Sequence, residues 1–397
     1  MKKRFVFLFF LFFNILCYGQ NILKNIVILD KYNKMPLENV IIFNDKDNSI
    51  SNEDGYFDFI TGINDIHFSK LSYKDIDTSF GEIKSKDTIF MESKAIDLDE
   101  VIVSNGESVI KKAHAAVSKN YILSPYTENF FVRCLLMKND EIIKLQDISG
   151  KVGRETMFET PEIKDNKYNI EILNMRKTSL NEKSDIVHFE FPSFESLYNM
   201  MNSILLKSVN YYNYIEKKSN DKDYWEIDFN QKDIQPNGQR VSGYFIIKKA
   251  DFAIVKFYLD FYDNIEAVPY QEKKGHKFRT TKYIFMVNYM KNPTVGKYYL
   301  NSAVFDMQLE VLGDKKIEKT THYDFQANYI TVNSFTNETI NPNFSIDKEI
   351  FKAKFPYSDE FWKSQNQLPL TKDLKNFLNT VSQKKEYKKE FDIIGNF

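Results

Sequence analysis

This sequence predicts a mainly β protein: a small N-terminal β-sandwich, a linking helix, then a larger antiparallel β-meander, curved into a half-barrel, with a few helices. Three observations predict it. Phe and Tyr, with 35 and 24 copies, dominate the aromatics, and flat rings suit a pleated, half-buried surface. Gly and Pro number only 13 and 10, which favours long strands over glycine-rich solenoid turns. Apolar runs of strand length recur between polar turns from Ile26 onward, while helical spacing shows in only a few places. Hydrophobic residues make up 43% of the chain, so it is not expected to be disordered. It is also too long for one core.

The N-terminus reads as a secretory signal over residues 1–19. Lys2, Lys3 and Arg4 form a positive head, Phe5 to Ile15 is apolar but for Asn14, and Cys17-Tyr18-Gly19 offers small residues before a cleavage site at Gln20. The apolar run is short of a spanning helix. Lipidation at Cys17 would want a small residue before it, and Leu16 is not small. Cleavage would take the formal net charge from −1, by three further units, to −4, which offers nothing to nucleic acid or an anionic membrane. Cys134 would be the one remaining cysteine, in the apolar setting Arg133-Cys134-Leu135-Leu136. An internal disulfide is therefore excluded, and a buried thiol is expected.

Residues 20–103 read as short strands and turns. Ile26 to Leu29, Val40 to Phe43, Tyr56 to Ile60, Ile66 to Phe68 and Thr88 to Met91 are the strands. Pro36 fixes one turn, and Asp54-Gly55 supplies the positive φ of another. Ile26, Ile28, Val40, Ile42, Phe57 and Phe59 are the expected core.

The order of Pro36-Leu37-Glu38-Asn39-Val40, Ser51 to Phe57, Phe68 to Tyr73 and Ala95 to Val103 resembles the carboxypeptidase regulatory-like domain. Leu98-Asp99-Glu100-Val101-Ile102-Val103 is its most specific part. The resemblance implies a seven-stranded transthyretin-like sandwich. That domain is found at the N-terminus of TonB-dependent outer-membrane receptors and other Gram-negative envelope proteins. It implies a fold and not peptidase chemistry. The sequence departs from the pattern where glycine is usual, as at Ser72 before Tyr73.

Ser104 with Glu107 forms a capping box, and Val109, Ile110, Ala113, Val117 and Tyr121 share one helical face. A helix over about 105–120 is predicted within a linking segment, 104–124. Residues 125–345 then read as antiparallel strands: Phe130–Met137, Asp140–Ser149, Ile186–Phe191, Tyr224–Asn230, Val241–Lys248, Ala253–Tyr262, Lys282–Met290, Lys297–Leu312 and Lys316–Ser334. Lys248 to Asp251 is a hairpin turn, and Phe194 to Val209 is a helix crossing the open side. A short helix, such a meander and Gly243 to Ile247 together resemble lipoprotein-carrier folds of the periplasm. Residues 346–397 are expected to form a helical tail.

No catalytic constellation is legible. His67, His114, His188, His276 and His322 complete no zinc motif. There is no Gly-x-Ser-x-Gly elbow, no Gly-rich phosphate loop, and Asp45 to Ser49 lacks the glycine and glutamate of a calcium loop. A cofactor and a metal are therefore not expected. Aromatics crowd the central region, and Tyr212, Tyr214, Trp225, Tyr258, Tyr262 and Tyr299 are the candidates for a ligand groove. Adjacent strand residues point to opposite faces, so one of each pair can be core.

The expectation is a non-enzymatic binding or scaffold module of the periplasm or outer membrane. Its partner would be an envelope protein or outer-membrane receptor, its membrane association peripheral at most. A lipid or lipoprotein carrier with a concave sheet is the first alternative, and a hydrolase whose site converges only in three dimensions is the second.

Overall fold

The computed structural model describes residues 21–94, 106–158, 167–180, 191–203, 209–219, 221–236, 239–262, 264–273, 275–313, 319–383 and 391–397. The signal segment, Leu98 to Val103, His188, nearly all of the strand expected over 186–191, and Lys384 to Lys389 lie outside them. The chain divides into two units. One is formed by the described residues up to Ser93 with Ser364–Pro369, the other by Lys94–Lys363 and Leu370–Phe397.

The first unit has two small sheets. β1 (Asn21–Asp30) lies between β4 (Tyr56–Thr61) and β7 (Thr88–Met91), antiparallel to the former and parallel to the latter. The second sheet runs β3 (Asn48–Ile50), β2 (Ile41–Phe43), β5 (Asp65–Ser69), β6 (Ile76–Ser79). Ile26, Ile28, Val40, Ile42, Phe57 and Phe59 are all buried in one core with Ile66, Phe68, Ile89 and Met91. Two turns are fixed by local chemistry. Asp30 Oδ1 accepts from the amides of Tyr32 (2.8 Å) and Asn33 (3.0 Å). Gly55 has φ +79°, and a Cβ there would meet the Ile28 carbonyl at 2.6 Å. A short helix, α1 (Phe80–Ile83), opens on the Ser79/Glu82 capping box. Residues 364–369 join this unit through Asn366. Its Oδ1 accepts from the Ile60 amide (2.6 Å) and its Nδ2 donates to the Ile60 carbonyl (3.0 Å), as a neighbouring strand would.

In the second unit the described residues form an open twelve-stranded sheet. β8 (Tyr126–Lys138), β9 (Glu141–Arg154) and β10 (Tyr168–Leu180) form one antiparallel run. β11 (Tyr212–Lys217), β12 (Tyr224–Gln231), β13 (Ser242–Lys248), β14 (Ile254–Asp260), β16 (His276–Lys291), β17 (Tyr298–Val311) and β18 (Thr321–Thr336) form another, with β15 (Gln271–Lys273) beside β16. The runs join where β18 pairs with β8. β19 (Phe391–Ile394) completes the path beside β10, leaving β11 at the opposite edge. The sequence foresaw a single meander; instead β10 and β11, consecutive in the chain, stand far apart in the sheet.

The helices of this unit among the described residues are α2 (Gly106–Ala115), α3 (Val117–Asn120), α4 (Phe194–Ser203), α5 (Asp359–Lys363) and α6 (Lys372–Gln383). The predicted helix at 105–120 is thus two pieces. The residues assigned to a helical tail contain α5, α6 and the strand β19, with 364–369 belonging to the first unit.

Alternation sets the two faces of the large sheet. On β8, Tyr126, Phe130, Val132, Cys134 and Leu136 point into one core with Phe229, Phe245, Phe257, Phe285, Phe305 and Phe325 from the other run. Phe131, Arg133 and Leu135 therefore face the opposite way. There Leu135 and Leu145 are covered by Leu370, Leu374, Phe377, Leu378 and Phe397. Asp147 accepts from Arg133 (2.8 and 2.9 Å) and from Arg176 (2.7 and 3.0 Å). The Arg176 guanidinium lies 4.4 Å from the Trp362 ring and 4.6 Å from Phe397. Away from this end the same face is polar, with Lys282–Asp306 at 2.5 Å and Arg279–Glu310 at 2.9 Å.

Candidate ligand-binding face

The inner face of the large sheet is mostly apolar from β12 to β10, and short elements roof it. α2 lies at the β11 end, where a Cβ on Gly106 would meet Ile227 at 3.3 Å and Tyr214 at 3.4 Å. Tyr121, just after α3, donates its hydroxyl to the Ile254 carbonyl (2.6 Å) and meets Phe158 edge-on at 4.9 Å. α4 crosses further along. Phe194, Leu197, Tyr198 and Met201, at i, i+3, i+4 and i+7, are its buried face. The Tyr289 hydroxyl donates to the Met201 carbonyl (2.9 Å), and Phe194 packs on Phe130 at 5.6 Å.

The six aromatics singled out from sequence do not gather in one groove. Tyr212 and Tyr214 sit together on β11, 6.4 Å apart, and Tyr212 meets Phe229 edge-on. Trp225 stacks on Phe252 at 5.0 Å. These three are half-buried at the rim of the inner core. Tyr299 is fully within it, against Phe335 at 5.9 Å. Tyr258 belongs to the outer face, stacked on Tyr244 at 5.3 Å, because its neighbour Phe257 takes the inward position. Tyr262 lies past the end of β14, 6.4 Å from Tyr283.

Sequence reasoning missed a polar centre beneath α4. Glu128 and Arg154 are wholly buried among the aromatics, and Arg154 Nη2 donates to Glu128 Oε1 at 2.6 Å. The Tyr329 hydroxyl donates to the same oxygen (3.1 Å), and Tyr198 donates to the Tyr329 hydroxyl (3.3 Å). The Tyr198 ring covers the guanidinium at 4.5 Å and stacks on Tyr168 at 5.0 Å. Arg154 Nε and Nη1, Glu128 Oε2 and the Tyr126 hydroxyl have no hydrogen-bond partner among the described residues. Burial pushes the Glu128 carboxyl above its ordinary value, with Arg154 pulling against it. Burial also raises the hydroxyls of Tyr126 and Tyr329 well above the usual tyrosine range. A signal for this centre exists in the sequence. Glu128 falls in phase with Tyr126, Phe130 and Val132, and Arg154 with Ile148 and Val152. Each is a charge at an inward position.

Of the histidines, His67 pairs with Asp77 at 2.7 Å and His114 lies on α2, its basicity lowered by burial. Among the described residues no three His, Cys, Asp or Glu side chains are grouped as metal ligands, and no helix is long and apolar enough to cross a membrane. Cys134 is buried, which pushes its thiol up.

No known family matches the chain, and no curated protein does. A DUF1329 family protein from Desulfovibrio piger is 11% identical with a TM-score of 0.28, over 59% of this chain and 95% of that one. An outer membrane lipoprotein-sorting protein domain from Vibrio parahaemolyticus is 9% identical, again at 0.28, 59% and 95%. Lipovitellin is 10% identical at a TM-score of 0.25, over 67% of this chain and 35% of that one. Scores this low carry no conclusion about family or function.

These results do correct the resemblance to the carboxypeptidase regulatory-like, transthyretin-like domain. No such family matches the chain. The resemblance rested on alternating apolar strands and turn residues, which any small β unit needs. Its most specific stretch, Leu98 to Val103, lies outside the described residues.

Proposed function

We propose that this chain is an exported, non-enzymatic envelope protein that carries an acyl chain, of a lipid or lipoprotein, on the inner face of its large sheet. One observation carries the reading: among the described residues, the apolar face extends past the short elements that roof it. α2, α3 and α4 have ten, four and ten residues, each too short to be a stable helix by itself. Tyr212, Tyr214, Trp225, Phe261, Phe278 and Tyr283 stay half-buried at their margins. An extended apolar surface with a partial, separable cover suits a long flexible hydrocarbon. That puts the carrier ahead of the scaffold. The signal segment, periplasmic residence and the reading of the first unit as a β-sandwich module belong to the same proposal.

The test is organic extraction of the protein purified from the envelope, followed by mass spectrometry, with displacement of a fluorescent acyl probe from the delipidated chain. Co-purifying lipid and saturable displacement near one equivalent are expected. Neither lipid nor displacement would overturn the reading.

A further inference from the structure

We propose that the Arg154–Glu128–Tyr126 centre makes the inner face selective for acyl ligands whose polar group is uncharged and bears hydroxyl and carbonyl oxygens. The inference rests on the carrier reading and adds the ligand's chemical class.

The charge balance decides the class. Arg154 already holds Glu128 through Nη2, so the pair has no net charge to offer an anion. A carboxylate or phosphate entering here would bring an uncompensated charge into an aromatic core, which is strongly unfavourable. What the pair offers is unused hydrogen bonding. Arg154 Nε–H and Nη1–H are donors, Glu128 Oε2 is an acceptor, and the Tyr126 hydroxyl is either. Nε and Nη1 lie on different edges of the guanidinium, so they suit two separate oxygens and not one bidentate carboxylate. Ester carbonyls and hydroxyls of a glyceride fit that set. Buried polar atoms are nearly always partnered. Single orphans occur elsewhere in the second unit, as at Asn301 Oδ1 and Asp306 Oδ1, but Arg154, Glu128 and Tyr126 carry four between them, whereas at Asp147 both carboxylate oxygens are taken by arginines.

The cover over the centre is α4, through Tyr198. Its apolar stripe of Phe194, Leu197, Tyr198 and Met201 lies on the strip of core that an acyl chain would occupy. Ligand and helix therefore compete for one surface, and the polar group reaches Arg154 as α4 lifts away.

The experiment compares 1-monooleoylglycerol with oleate as competitors of a fluorescent acyl probe on the full delipidated protein. Wild type is expected to prefer monooleoylglycerol by about tenfold or more. Glu128→Gln keeps the shape and an acceptor for Arg154 but leaves the guanidinium charge uncompensated, and should move the preference toward oleate by about tenfold. Tyr126→Phe removes a hydroxyl that no described residue uses, and should weaken monooleoylglycerol while leaving the melting temperature unchanged. A wild-type preference for oleate overturns the selectivity, as does an unchanged preference in natively folded Glu128→Gln. Both leave the carrier reading standing. Should Glu128→Gln fail to fold, unchanged monooleoylglycerol binding by Tyr126→Phe overturns the proposal. Binding of neither ligand by wild type overturns the carrier reading itself.

Discussion

Removing the Arg154 side chain would leave Glu128 buried without its counter-charge. Breaking a buried pair from one side costs about 3–5 kcal/mol, whereas replacing both members by apolar residues is often neutral. Arg154→Ala should therefore lose about that much in urea unfolding, and Glu128→Leu with Arg154→Met should recover most of it. Asp147 answers to pH. Burial alone would raise its carboxyl, but Arg133 and Arg176 overcome this and hold it below the ordinary value. Its folded value is depressed, so its stabilisation is present above the unfolded value of about 3.9 and is lost as pH falls through the folded one. Wild type and Asp147→Asn should thus differ most in stability above pH ~4 and converge in more acidic solution. An equal gap at every pH would show that the charge of Asp147 is not what the two arginines hold.

At the scale of elements, close backbone approach makes sharp forecasts. A Cβ on Gly243 would meet the Tyr258 carbonyl at 1.9 Å and the Phe229 ring at 2.9 Å. Gly243→Ala should cost about 3 kcal/mol or more, since neither backbone can yield without parting β13 from β14; equilibrium denaturation measures it. The strands legible from sequence are those with one apolar face, such as β12, β13 and β14. β10 was missed because its pattern is blurred. Arg176 and Lys177 are buried in it, its register shifts between Ile172 and Asn174, and both its neighbours are strands. β11 was missed because only Tyr212 and Tyr214 mark its inner face, Glu216 follows them there, and Ile215 falls out of phase among the exposed positions of an edge strand. Of the candidate aromatics, alternation could have sent Tyr258 outward beside Phe257. It could not have said which of the others share a neighbourhood, since that depends on β8 meeting β18.

For the whole molecule, the first unit should fold as the fragment 21–93, but incompletely. Asn366 would be missing, and a buried amide left without its acceptor costs about 1–3 kcal/mol. Hydrogen exchange at the Ile60 amide should be faster in the fragment than in the full chain, and Asn366→Ala in the full chain should reproduce the difference. Equal protection would mean that the fragment needs nothing from residues 364–369. Processing is checked by mass spectrometry: the proposed export expects a mature chain beginning at Gln20, and a lipid on Cys17 would make the proposed carrier a tethered one. The pairing of β8 with β18 reaches further. Thr127 and Thr336 are partners 209 positions apart in sequence. As the chain is delivered from its N-terminus, β8, β9 and β10 can zip into hairpins at once, but β8 must wait for β18. Until then it shows an unpaired row of amides and carbonyls along Phe130 to Leu136. Such long-range closure slows folding. The most aggregation-prone moment in this protein's life is thus its assembly, and a holdase would bind it best while that one edge is waiting.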